Sequence, residues 1–135
     1  MLLATSATQP VIAKEHLKAI PFQKAEAPAT GTVTVHTHDG VSKLVFSNDF
    51  STNPQAPDLQ VVLVRSATPL QTLKPPAYAL APGSYTQVAA LRSPKGAQSY
   101  TLPKGLDLKN YGSVLIWCRT ANATMAWAAL HGHGG

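Results

Sequence analysis

The sequence is poor in charge, in cysteine and in long apolar runs. Charged residues make up 13% of its 135 residues, about half the usual quarter. No apolar run approaches the roughly 18 residues that a membrane span needs. The single cysteine, Cys118, excludes an internal disulfide framework, a cysteine-only zinc site and haem attachment through a two-cysteine motif.

Motifs of the common enzyme classes are also missing. No serine lies in a nucleophile elbow, no glycine-rich loop precedes a helix, and no two acids are placed for glycoside chemistry. The sequence therefore favours a non-enzymatic module over a self-sufficient enzyme.

The formal charge of +5 is unevenly distributed along the chain. Residues 1–59 carry four Lys/Arg against five acids, whereas residues 60–135 carry seven against Asp107 alone. The basic residues are singly spaced and form none of the aromatic-basic motifs of nucleic-acid modules. This pattern argues against nucleic acid as a partner and favours an acidic protein.

What the chain does contain is short apolar segments interrupted by turn residues. The hydrophobic fraction is 44%, with eleven prolines and nine glycines. The length fits one domain, and the composition predicts many turns and few long helices.

The stretch Tyr111–Arg119 is the most informative of these segments. It is a continuous run of β-branched and aromatic residues, which predicts a strand buried on both faces. Alternation places Cys118 on the face of Val114 and Ile116, and Trp117 on the opposite face.

A hairpin is predicted around Asp39-Gly40, a strong two-residue turn signal. Thr32–His38 and Val41–Ser47 alternate on either side of it. Further strands are predicted at Leu59–Arg65, Thr86–Arg92, Ala97–Leu102, Tyr111–Arg119 and Thr124–Leu130, with a helical turn at 107–110 and an irregular connection over 66–85. About seven strands at regular spacing predict an all-β fold, an antiparallel sandwich or barrel.

The ends of the chain are predicted to lie outside the β domain. Residues 1–28 are interpreted as an arm or linker, with a short helix over 10–20 that Pro21 stops and linker composition over 21–30. Ala4-Thr5-Ser6-Ala7 is compatible with a signal-peptide remnant or with an added vector segment. Residues 131–135 are predicted to be a disordered tail, leaving 29–130 as the domain.

Several segments, taken in order, resemble one family. They are Asn48-Asp49-Phe50, Pro57–Leu63, Gly96–Pro103, Tyr111–Arg119, and finally Ala128 and Leu130. The ordered set, which includes Trp117-Cys118, resembles the DM-thirteen domain, a small β-rich extracytoplasmic module often found beside DOMON domains.

The resemblance implies an extracytoplasmic role in electron transfer acting on surface proteins. It implies that Cys118 works as a naked redox thiol or as a ligand to a prosthetic group such as haem. Met125 could supply a soft axial ligand if its strand pairs with that of Cys118, and Trp117 and Tyr100 complete the candidate cofactor-binding set.

Each candidate also has an ordinary structural explanation. Free cysteine is among the most buried residue types and methionine often fills cores, so the alternative is a structural or protein-interaction sandwich in which Cys118 only packs. The two-residue alternation along the strand predicts that Cys118 is sheltered at the edge of the core, with Tyr100 and Met125 as its expected neighbours.

His36 and His38 are the only candidate metal ligands that share a strand face. They are about 6.6 Å apart along the strand, and zinc or copper would need a third ligand. His16 and Asp39 are conceivable, but nothing forces them there. We expect two exposed histidines and no tight metal site.

Overall fold

The computed structural model describes residues 18–131 and shows two packed antiparallel sheets. The strands are β1 (Ile20–Pro21), β2 (Gln23–Lys24), β3 (Thr32–His38), β4 (Val41–Phe46), β5 (Leu59–Val64), β6 (Thr86–Ala90), β7 (Gln98–Thr101), β8 (Ser113–Cys118) and β9 (Ala123–Ala129). A one-turn helix, α1 (Pro69–Thr72), and a 3-10 turn (Leu108–Asn110) lie in the connections.

One sheet has the strand order β1-β3-β4-β7 and the other β2-β9-β8-β5-β6. The predicted all-β antiparallel sandwich is thus confirmed. The described residues contain nine strands rather than about seven, because the N-terminal segment adds two short ones.

The segment before Gly31 belongs to the sandwich, which corrects the linker prediction for residues 21–30. β1 pairs with β3 in one sheet, and β2 pairs with β9 in the other. Phe22, between them, is 5% exposed and packs on Phe46 and Phe50. The buried Phe22 side chain thus fixes the point where the chain passes from one sheet to the other. Amino-acid composition does not reveal this role.

The helix predicted over residues 10–20 lies mostly outside the described residues. At its end the structure has an extended chain, because Ile20 pairs with Val33. That part of the helix prediction was wrong. The predicted tail, residues 131–135, likewise lies outside the described residues except for His131, whose Nε2 is 2.8 Å from the Tyr111 carbonyl oxygen.

The Asp39-Gly40 hairpin is confirmed. Both turn residues have positive φ, 53° and 77°, as a type I′ turn requires. His38 pairs with Val41 and Val33 with Phe46, so Val33, Leu44 and Phe46 enter the core.

Strand β8 is buried along its whole length, as predicted. Val114, Ile116 and Cys118 belong to the core between the sheets. Leu115 and Trp117 belong to a smaller cluster on the outer face. The connection over 66–85 explains this second cluster, because its residues Leu73, Leu80 and Tyr85 pack there.

Candidate functional site

The Cys118 thiol lies beneath the loop of residues 53–58, which leads into β5. Its residue is 1% exposed and forms no disulfide. Sγ lies 3.0 Å from the carbonyl oxygen of Pro57 and donates a hydrogen bond to it. Pro57 itself is exposed, so the hydrogen-bond acceptor of the thiol belongs to a residue that reaches solvent. The predicted sheltered placement is confirmed.

The sulfur of Met125 contacts the same loop. Asn53 Nδ2 lies 4.0 Å from Met125 Sδ, and both sulfur-bearing residues belong to the core cluster. Loop 53–58 therefore contacts one sulfur near each of its ends.

An ion pair holds the C-terminal end of this loop. The guanidinium of Arg119, the residue after β8, donates to both carboxylate oxygens of Asp58, with Nε–Oδ2 at 2.9 Å and Nη2–Oδ1 at 3.1 Å. The Arg119 amide also donates to the Asp58 carbonyl at 3.1 Å. Gln60 and Thr120 donate to the same carboxylate. We call the Asp58–Arg119 pair the latch.

The latch changes the acidity of its carboxyl group. The hydrogen bond from Arg119 is the largest effect and lowers the pKa of Asp58 below its ordinary 3.8, against a smaller opposing effect of desolvation. Reciprocally, Asp58 raises the pKa of Arg119. Asp58 has a left-handed backbone with φ of 55°, a conformation that Asp and Asn adopt more readily than most residues.

This pKa shift predicts an acid-dependent stability. Because the native carboxylate binds its proton at lower pH than the unfolded one, its contribution is fully present above the unfolded pKa of 3.8 and is lost as pH falls through the lower native pKa. Asp58→Asn should therefore be less stable than wild type at pH 6, and the difference should shrink towards pH 2. Urea unfolding between these pH values measures it, and Arg119→Gln should remove the same pH dependence. Parallel pH profiles of the wild type and both variants would contradict the assignment.

Two other members of the candidate cofactor set, Trp117 and Tyr100, make their polar contacts with residues other than Cys118. Trp117 lies on the outer face, where its ring is 4.8 Å from that of Tyr85 and its Nε1 donates to Asn122 Oδ1 at 2.9 Å. Tyr100 shares the core cluster with Cys118, but its hydroxyl accepts from the Arg92 amide and donates to Gln98. Burial raises the pKa of Tyr100.

This arrangement does not fit a haem. Cys118 and Met125 are 1% and 4% exposed, within a core packed between the sheets. Trp117 is on the far side of β8 from both. A macrocycle could reach the thiol only if the sheets or the loop above it separated.

His36 and His38 are exposed on the outer face of the four-stranded sheet. His38 Nε2 lies 3.3 Å from Asp39 Oδ2, and among residues 18–131 no three His, Cys, Asp or Glu residues are grouped for a metal ion. The absence of a tight metal site stays a prediction.

The hydrogen bond to Pro57 predicts how Cys118 tolerates substitution. From the sequence alone, Cys118→Ala is expected to cost less than Cys118→Ser, which would put a hydroxyl among apolar groups. The Pro57 carbonyl supplies one, so we expect Cys118→Ser to unfold within about 1 kcal/mol of wild type. Cys118→Ala, which leaves the carbonyl unpaired, should lose about 1–2 kcal/mol. Denaturant titration compares them, and a less stable Ser variant would contradict the role of this bond.

Pro57, Asp58 and Arg119 are site residues whose role the sequence does not disclose. Asp58 precedes β5 and Arg119 follows β8, so they meet because these strands pair antiparallel, with Leu59 opposite Cys118. The opposite charges at those two strand ends are a signal in the sequence, but the ion pair can be predicted from them only when the strand order is known.

Comparisons with known proteins agree with the resemblance in sequence. The family model described as electron transfer DM13 matches residues 21–130, which include both short N-terminal strands. No curated protein and no solved structure matches the chain. Among the described residues, no helix has the length and apolarity to cross a membrane. Because the match covers most of the chain, the protein belongs to the DM13 family.

Proposed function

We propose that this member of the DM13 family is an extracytoplasmic electron-transfer accessory module whose redox group is the Cys118 thiol. The observation that carries the proposal is the position of Sγ. It is shielded from solvent, yet its hydrogen-bond acceptor is the carbonyl of an exposed loop residue, Pro57. The family description supplies the electron-transfer context.

A single thiol can exchange electrons with a partner's disulfide. In that step Cys118 Sγ loses its proton and bonds to one sulfur of the partner, while the partner's S–S bond breaks. The other partner sulfur leaves with the electron pair and takes up a proton. The partner disulfide is thereby half reduced, and Cys118 is oxidised to a mixed disulfide.

The partner is proposed to be an acidic protein. Residues 60–135, which carry Cys118, hold seven Lys/Arg against one acid. Complementary charge would raise the encounter rate and would make it depend on salt.

A second function is a structural or interaction sandwich in which Cys118 only packs. The burial of the residue and its bond to Pro57 favour this alternative, because together they fasten loop 53–58 to β8. In that case Cys118→Ser would retain all function.

Incubation of the folded protein with oxidised glutathione tests the proposal. Mass spectrometry should detect one glutathione adduct, removed by dithiothreitol and absent from Cys118→Ser. If wild-type Cys118 forms an adduct only in denaturant, the thiol proposal fails and the structural alternative stands.

An absorbance spectrum of protein from a haem-replete host tests the choice of redox group. The closed core around Cys118 and Met125 predicts no Soret band. A Soret band lost in Cys118→Ser would replace the thiol proposal by haem ligation.

A further inference from the structure

Loop 53–58 is attached to the sandwich by contacts of unequal strength. Asn53 contacts Met125 Sδ at 4.0 Å, and Pro57 accepts from Cys118 Sγ at 3.0 Å. The charged contact lies at Asp58, adjacent to the residue that accepts the thiol hydrogen bond, and it combines two guanidinium bonds with a backbone bond.

We propose that the Asp58–Arg119 latch controls access to the Cys118 thiol. This inference rests on the proposed function, since it makes the latch a positioning device for the thiol's acceptor, Pro57. While the latch is closed, the Pro57 carbonyl stays over Sγ. When it opens, the loop can lift and Sγ can meet a disulfide.

The latch is suited to open without global unfolding. The side chains of Arg119 and Asp58 are 51% and 30% exposed, so water and salt can compete for both charges. By contrast, the strands beneath, β5 and β8, are buried throughout. Local openings of such surface segments are populated far more often than the unfolded state.

The left-handed backbone conformation of Asp58 also favours opening of the latch without global unfolding. Its φ of 55° is uncommon for a residue other than glycine, and the hydrogen bonds of Arg119, Gln60 and Thr120 hold it there. Removing the carboxylate charge therefore weakens the contacts that fix the peptide next to Pro57.

The test measures how fast Cys118 reacts with 5,5′-dithiobis(2-nitrobenzoate). Sγ loses its proton and forms a mixed disulfide with one aryl sulfur, while one coloured thionitrobenzoate anion leaves, so each reaction is counted optically. Asp58→Asn keeps the side-chain size and the preference for positive φ but removes the charge. We expect the rate to rise about two- to fivefold, and similarly in Arg119→Gln.

The matched control is Val35→Ala in β3 of the other sheet, where Val35 is partly buried against the core. It lowers the free energy of unfolding but leaves the latch intact, so it should label at close to the wild-type rate, whereas the latch variants should react faster than their own unfolding equilibria allow. Raising salt from about 0.05 to about 1 M should accelerate wild type but not Asp58→Asn.

Latch variants that label no faster than their unfolding equilibria allow would overturn the inference. So would a wild-type rate that does not respond to salt, a measurement that needs no variant to fold. These failures are distinguishable from failure of the proposed function. If the latch does not affect labelling, the glutathione adduct still forms. If the latch affects labelling but glutathione exchange is not reversible, the latch controls access to a thiol that is only structural.

Discussion

Gly31→Ala is expected to destabilise the protein by about 3 kcal/mol or more. Gly31 has φ of 91°, and a Cβ there would lie 2.6 Å from Phe50 N and 2.9 Å from Ser47 Oγ, and against Phe50 Cα. The nearest atoms are backbone, so they cannot rotate away. Thermal and urea unfolding measure the loss.

Gly83→Ala is the matched control, because Gly83 has a similar φ of 80° but nothing within 4 Å of its added Cβ. It should show only the backbone cost, about 1–2 kcal/mol. Equal losses in the two variants would show that the close approach of Gly31 to Phe50 is unimportant.

Trp117→Ala should cost about 3–5 kcal/mol, although Trp117 is distant from the thiol face. Its ring packs against Tyr85, and its Nε1 donates to Asn122 Oδ1, the atom that also accepts from the Leu80 amide. The truncation would therefore remove one anchor of the 66–85 connection, while Asn122 and Thr124 still bind it. Denaturant unfolding followed by circular dichroism measures the cost.

Trp117→Phe separates ring packing from the hydrogen bond. It keeps most of the buried ring and should cost about 1–2 kcal/mol. Neither variant should lose glutathione exchange at Cys118 while folded. A folded Trp117→Phe protein unable to form the adduct would instead assign Trp117 to the redox site.

The parts of the fold that follow from local pattern could be predicted. The two-residue alternation of apolar side chains and the Asp39-Gly40 turn suffice to predict the first hairpin, because both depend on neighbours in sequence. The same reasoning placed Cys118 and Trp117 on opposite faces of β8. It also indicated that Cys118 is sheltered.

Features that depend on distant pairing could not be predicted. Ile20 and Phe22 look like the end of a short helix and a linker until their strand partners are known. The latch requires β5 beside β8, and sequence order does not reveal that neighbour relation. Tyr100 and Met125 share the core cluster with Cys118, but their hydrogen-bond partners could not be predicted.

The most direct measurement of the central claim is a redox equilibration of the folded protein. Samples are held in buffers with different ratios of reduced to oxidised glutathione, starting from either the free thiol or the mixed disulfide, and the modified fraction of Cys118 is read by mass. The account predicts that both starting states converge on one fraction, which changes with the glutathione ratio, while Cys118→Ser is never modified. A free thiol that stays unmodified at every ratio while the protein is folded would contradict it.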